Sequence, residues 1–155
     1  MPDDDNYRSR VTAATFLFEV DGVEIGWFME VSGLEVTVET ETVQEGGQNS
    51  FVHHLPGRMT WPNLRLKRGV TKQDTLLSWL NKSSGEQFAA SGNKVARSTA
   101  ALTLIGAAGE RLRAWEFTGV MPVKWTGPTF AVDSADAAVE ELELAHDGFR
   151  AKELA

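Results

Sequence analysis

The sequence predicts a mainly β domain: an antiparallel β-barrel or sandwich with one α-helix packed beside it and a long extended loop. Three observations predict it. Short runs rich in Val, Phe, Thr and Glu recur between Gly and Asp turn signals. One stretch alone has strong helical spacing. No alternation of strands with helices occurs, as a parallel sheet would need. A chain of 155 residues fits one domain, and its 42% hydrophobic content is enough to close a core without cross-links. Residues 1–11 read as a flexible polar arm, 12–150 as the barrel domain and 151–155 as a tail.

Thr15-Phe-Leu-Phe-Glu-Val20 and Val23-Glu-Ile-Gly-Trp-Phe-Met-Glu-Val31 are the first two extended runs. Asp21-Gly22 between them tolerates the positive φ angles of a two-residue hairpin turn. From Leu34 to Thr42 the pattern has period two, placing Leu34, Val36 and Val38 on an expected dry face and Glu35, Thr37, Glu39 and Glu41 on a wet one. After Gln44 the alternation stops, and Gly46-Gly47-Gln-Asn-Ser opens a connection of roughly a dozen residues, long for a small domain. Thr60 to Lys67 is extended again, with Pro62 arguing for an edge or a strand start. Gly69 ends that run. Thr71 with Asp74 resembles a capping box, and Leu76, Leu77 and Leu80 predict a helix over Thr71 to Lys82. Ser83 to Asn93 reads as loop. Val95 to Ile105, Arg111 to Val120 and Val123 to Trp125 are further β runs, the first two joined by Gly106-Ala-Ala-Gly109. Thr126 to Asp136 is a second loop. Val139 to His146 has a helix-compatible composition but is assigned as strand.

Charge and composition exclude several functions. The chain has no cysteine, so disulfides, thiol nucleophiles and cysteine-ligated zinc are absent together. With 22 acidic against 15 basic side chains the net charge is −7, which opposes stable binding to nucleic acid. No apolar run reaches the length of a signal-peptide core or membrane span, so synthesis in the cytoplasm and no membrane binding are expected.

His53-His54 is the first feature to test for chemistry. Adjacent residues on an extended chain point to opposite sides, so the pair does not converge on one metal, and only His146 remains besides. Glu35, Glu39, Glu41, Glu141 and Glu143 could supply an acid and a base, but period-two spacing is explained by the solvated face of a sheet. The glycine pairs match no phosphate loop or dinucleotide fingerprint. Arg58, Arg65, Lys67 and Arg68 form the densest basic stretch, with two readings: a solvated face, or partners for Glu39 or Glu41 of another subunit. Trp27, Trp61, Trp79, Trp115 and Trp125 form no stacking ladder and read as core or subunit contacts. No catalytic residue, cofactor or metal is assigned.

Val31-Ser-Gly-Leu-Glu-Val-Thr-Val-Glu-Thr-Glu, then Gln44 to Arg58, then Trp61-Pro-Asn-Leu-Arg-Leu-Lys-Arg-Gly-Val-Thr71, resemble the tube proteins of contractile phage tails and of extracellular contractile injection systems, relatives of type VI secretion tube proteins. The resemblance runs from about Phe16 to Phe149 and is most specific in the loop and the Leu-Lys-Arg-Gly-Val-Thr segment before the helix. It implies the phage tail tube fold and a structural subunit, not an enzyme. Such subunits form hexameric rings stacked into an inner tube, wrapped by a contractile sheath and joined to a baseplate and spike. Protein or DNA cargo passes through the lumen. By the same resemblance, Gly46, Gly47, Asn49, Phe51, Val52, His53, Leu55 and Arg58 belong to an inter-subunit loop that stacks rings. Glu35, Thr37, Glu39 and Glu41 become candidates for the lumen wall, although an outward face gives the same pattern. A tube-initiator ring is a related reading. A monomeric ligand-binding barrel and a hydrolase using the carboxylates or histidines are readings from other classes.

Overall fold

The computed structural model describes residues 15–43, 53–72, 75–83, 97–129 and 138–154. In chain order the elements are β1 (Thr15–Val20), β2 (Val23–Phe28), β3 (Glu30–Ser32), β4 (Thr37–Val43), β5 (His53–Thr60), β6 (Leu64–Gly69), α1 (Thr75–Ser83), β7 (Ser98–Ile105), β8 (Arg111–Thr126), β9 (Val139–Ala145) and β10 (Phe149–Lys152). All strand pairs are antiparallel. The fold is the mainly β one that the turn and strand signals predict.

The first hairpin turns at Asp21-Gly22, with φ of 50° and 79° and Val20 opposite Val23. Two successive positive φ angles match the right-handed twist of the strands, and Gly supplies the second without a Cβ penalty. The turn is also tied to β7: Asp21 N donates to Thr99 O at 2.9 Å, and Thr99 N donates to Asp21 Oδ1 at 3.1 Å.

The second run breaks at Met29 instead of continuing to Val31. Met29 N donates to Lys67 O, and β3 pairs with β6. Strands follow the order β2-β1-β7-β8-β9-β6-β3, with β10 beside β8. Because β2 and β3 are joined at Met29, the path returns on itself and the main sheet closes. The two runs expected between Arg111 and Trp125 form one strand of 16 residues, β8. Its first part pairs with β7 and β10 and its last part with β9, with an irregularity between Pro122 and Lys124. Proline has no N–H to donate, so a ladder irregularity is where a strand tolerates it.

Period two decides β9 against its helical composition. Glu140, Leu142 and Leu144 are buried, while Glu141 and Glu143 are turned outward. A strand absent from the sequence reading, β10, runs through Lys152, two residues past the expected end of the barrel.

Phe18, Phe28, Phe117, Leu64, Leu66, Leu102, Leu142 and Leu144 fill the centre. The ring of Phe18 meets Phe28 at 6.3 Å and Trp79 at 6.0 Å, both edge-on. The helix begins later than predicted: Thr71 is outside it, and Asp74 lies outside the described residues. Its buried face is Leu76, Trp79 and Ser83, so Trp79 takes the place expected of Leu80. One ion pair is buried in this core. Arg68 and Glu140 face each other in register and bond through Nε and Oε1. The guanidinium lies 5.2 Å from the Phe28 ring centre and fills the space over Gly26, where a Cβ would come within 2.1 Å of Nη1.

Candidate functional site

β4 and β5 stand apart from the barrel. They pair with each other and with no other described strand. Every residue of both is exposed. The long connection predicted from Gln44 to Arg58 is therefore in part a strand: His53, Leu55 and Arg58 belong to β5, not to a loop. Gly46, Gly47, Asn49, Phe51 and Val52 lie outside the described residues. Thr37, Glu39 and Glu41 lie on β4, and Glu35 just precedes it.

The dry face expected of this run is covered within the subunit only at its start. Leu34 packs against the core, but Val36 and Val38 are each 42% exposed. The physical reason is position: the chain leaves the barrel after Gly33, so the alternation continues with no core to face. Val43, Leu55 and Met59 are exposed as well. Five of the twelve large apolar side chains exposed among the described residues thus sit on this arm or at its root. Val38 stands opposite Met59, which makes an apolar patch on one side. Pairing then resumes with Thr40 opposite Pro56, so Gly57 and Arg58 together face Glu39 in a bulge. His53 opposes Val43 and His54 opposes Thr42, so the two imidazoles emerge on opposite faces. Among the described residues, no group of three His, Cys, Asp or Glu could hold a metal ion.

The base of the arm is clasped. Gly33 has φ of 91°, and a Cβ there would lie 2.2 Å from Asn63 O. The Trp61 ring meets Phe149 edge-on at 5.0 Å and lies 6.1 Å from the His146 ring. Its indole also covers Gly148, where a Cβ would come within 3.0 Å. Asn63 Nδ2 donates to Glu143 Oε1 at 3.0 Å. Gly148 N donates to His146 Nδ1 at 3.1 Å, which leaves the proton on Nε2 to donate to Pro62 O at 3.1 Å. Burial pushes the His146 pKa below its ordinary value of 6.5, against the raising effects of the Pro62 bond and the Asp147 charge, while the Gly148 N–H, which donates to Nδ1, favours the neutral ring. In the sequence His146 stood out only as the third histidine. Its role depends on the meeting of residues 61–63 with 146–149, which no local pattern announces.

The basic stretch finds its partners within the subunit. Arg65 lies 3.8 Å from Glu143 and Lys67 lies 4.0 Å from Glu141, each pair in register across β6 and β9. Lys124 faces Glu143 from the other side. Their cations are exposed and their carboxylates half-buried, and at 3.8 and 4.0 Å such pairs stabilise the monomer little. Of the basic residues singled out, only Arg58 rides on the arm. Trp27 is 45% exposed, Trp79 is buried, and Trp115 and Trp125 pack against the core. Among the described residues the barrel's centre is filled by Phe18, Phe28, Phe117 and the core leucines.

Comparison with known proteins agrees with this geometry. No curated protein sequence matches the chain. Among solved structures, the chain is similar to one from the PVC sheath-tube complex of an extracellular contractile injection system in the extended state. The identity is 28%, over 90% of this chain and 88% of that one, with a TM-score of 0.71. It is equally similar, at 28% identity and a TM-score of 0.71, to a chain from the sheath/tube terminator of that system, over 89% of this chain and 93% of that one. A chain from the type six secretion system, 14% identical over 88% of this chain and 82% of that one, shares the fold alone, with a TM-score of 0.55. The family model of the T4-like virus tail tube protein gp19 matches residues 12–150, from before β1 into β10. This chain belongs to the T4-like virus tail tube protein gp19 family and is a tail tube protein.

Proposed function

We propose that the chain is the inner-tube subunit of a contractile injection system or phage tail, assembling as hexameric rings that stack around a lumen. The single observation that carries this reading is the β4–β5 arm, which exposes both faces and an apolar patch that its own barrel does not cover. An unpaired strand edge with exposed Val and Met is an aggregation hazard unless a neighbouring copy completes it. In stacked rings the arm reaches the next subunit or ring, with His53, Leu55 and Arg58 at the contact together with the connection from Gly46 to Val52. The similar chain from a sheath-tube complex supports a contractile sheath as the outer partner, and a baseplate or spike at one end belongs to the same reading. The tube itself is passive: sheath contraction drives it, and cargo moves through the lumen. Assembly takes place in the bacterial cytoplasm. The acidic side of the arm, Thr37, Glu39 and Glu41 with Glu35 at its root, lines the lumen where the arm follows the channel wall.

Negative-stain electron microscopy of the untagged protein over a concentration series tests this reading. Rings or hollow tubes that grow with concentration are expected. A monomer at every concentration that saturates with a small apolar molecule would replace the tube with the ligand-binding barrel. A monomer that assembles only on a baseplate would make it the initiator. For the lumen assignment, Glu39→Cys tubes are expected to react with a small maleimide but slowly with a bulky one. Equal reaction with both would place that side of the arm elsewhere.

A further inference from the structure

The angle of the arm is set at one joint. The chain leaves the barrel at Gly33 and returns through Trp61, Pro62 and Asn63, and the β9–β10 corner holds each returning residue. Trp61 packs on Phe149 and Gly148, Pro62 O accepts from His146, and Asn63 donates to Glu143. Gly33 presses against Asn63 O, so both legs of the arm pass through the same clasp. The corner is itself fixed to β8: Asp147 N donates to Thr118 O, and Thr118 N donates to Gly148 O. The barrel side is thereby anchored, and the arm, paired with no other described strand, extends from it.

His146 is the joint's one imidazole. In its neutral form it satisfies both neighbours, accepting at Nδ1 and donating at Nε2. An imidazolium carries a proton on each nitrogen, so Nδ1 would face the Gly148 N–H as donor against donor. We infer that the β9–β10 corner is a proton-operated clasp: neutral His146 fixes the angle of the arm, and protonated His146 releases it, so that subunit coupling weakens as pH falls. This rests on the reading of the arm as the contact between subunits. The lowering of the His146 pKa by burial agrees with it. Clasping is complete above the ordinary value of 6.5 and is lost as pH falls through the lower value of the clasped state.

The charges around the ring are otherwise engaged. Asp147, next in the chain, favours the imidazolium but is bonded by Arg97 at 2.7 and 2.8 Å. Glu143 of β9 holds Asn63. From β8 the ring meets Phe117, while Glu116 is paired with Arg150 of β10 at 2.9 Å. The returning segment presents Trp61, Pro62 and Asn63, none of them charged.

Peptide-resolved hydrogen exchange on the full chain, kept dilute enough to remain monomeric, is the test, run at about pH 8 and about pH 5 to bracket an ordinary imidazole. After correction for intrinsic rates, the segments around 61–63 and 146–148 are expected to lose protection several-fold at the lower pH, while the Asp21-Gly22 turn does not. His146→Asn keeps an acceptor, Oδ1, where Nδ1 stood and cannot titrate, so its protection is expected to be insensitive to pH. If that variant does not fold, His146→Gln, which keeps a donor toward Pro62 O, takes its place. His53→Gln with His54→Gln is expected to respond as wild type. No loss in wild type, or equal loss in the His146 variant, would overturn the clasp. Pelleting of assembled samples gives the second readout, with fewer wild-type tubes at about pH 5 and no such change in His146→Asn. Release of the clasp without loss of tubes would overturn the link to assembly. Absence of tubes at both pH values would instead overturn the tube reading, while the exchange data still decide the clasp.

Discussion

At the scale of single residues, the barrel depends on a few positions with no tolerant substitute. Arg68 and Glu140 are the buried charges of the core, with side chains 4% and 11% exposed, and each satisfies the other. Glu140→Ala leaves a guanidinium in the core without its partner, and such a break costs about 3–5 kcal/mol. Chemical denaturation is expected to show a loss of that size, with Arg68→Met combined with Glu140→Leu recovering most of it. A loss below about 1 kcal/mol would mean that water reaches the pair. Gly33 is constrained differently. Its φ of 91° and the 2.2 Å approach of Asn63 O leave no room for a methyl group. Gly33→Ala is expected to cost about 1–3 kcal/mol by the same measurement and to loosen the base of the arm.

At the scale of elements, folding and assembly separate. β4 and β5 contribute no side chain to the buried core, so Met59→Asp is expected to change monomer stability by no more than about 0.5 kcal/mol. It is expected to suppress tube formation in the same preparation. Normal tubes from that variant, or a markedly destabilised monomer, would contradict the division. The same division explains what was legible in the sequence. Asp21-Gly22 announced its hairpin because the turn chemistry is local, whereas Val139 to His146, helical by composition, reads as strand partly through the family resemblance, and its alternating burial is settled by the sheet around it. The alternation of Leu34 to Thr42 was equally visible and still misled, since period two reports a surface that wants cover without saying whether that cover is the chain's own core. The break at Met29, the union of two runs into β8 and the short β10 were not legible. Each is set by which strand lies alongside, and no residue within the segment records that.

At the scale of the whole molecule, charge governs how copies meet. Each copy carries a net charge of −7, so the proposed ring would concentrate negative charge in a small volume. The screening length falls from about 30 Å at 0.01 M salt to about 8 Å at 0.15 M. The protein concentration needed for pelletable tubes is therefore expected to fall as salt is raised over that range. The opposite trend would mean that ion pairs across the interface outweigh the net repulsion. The family and fold were legible because the arm, the joint and the strand before α1 lie consecutively between Val31 and Thr71. The clasp was not, because His146 is 84 residues away from Pro62 in the chain.

The 16 residues of β8 have a mechanical consequence. At about 3.3 Å per residue the strand is roughly 50 Å long, and it belongs to both halves of the sheet along its length. It acts as a tie-rod: sliding one half against the other would strain a continuous covalent backbone and shear the hydrogen-bond ladders on its flanks together. In the proposed conduit each brick would thus carry load along its own backbone, which makes stiffness a property of the subunit before it is one of the tube.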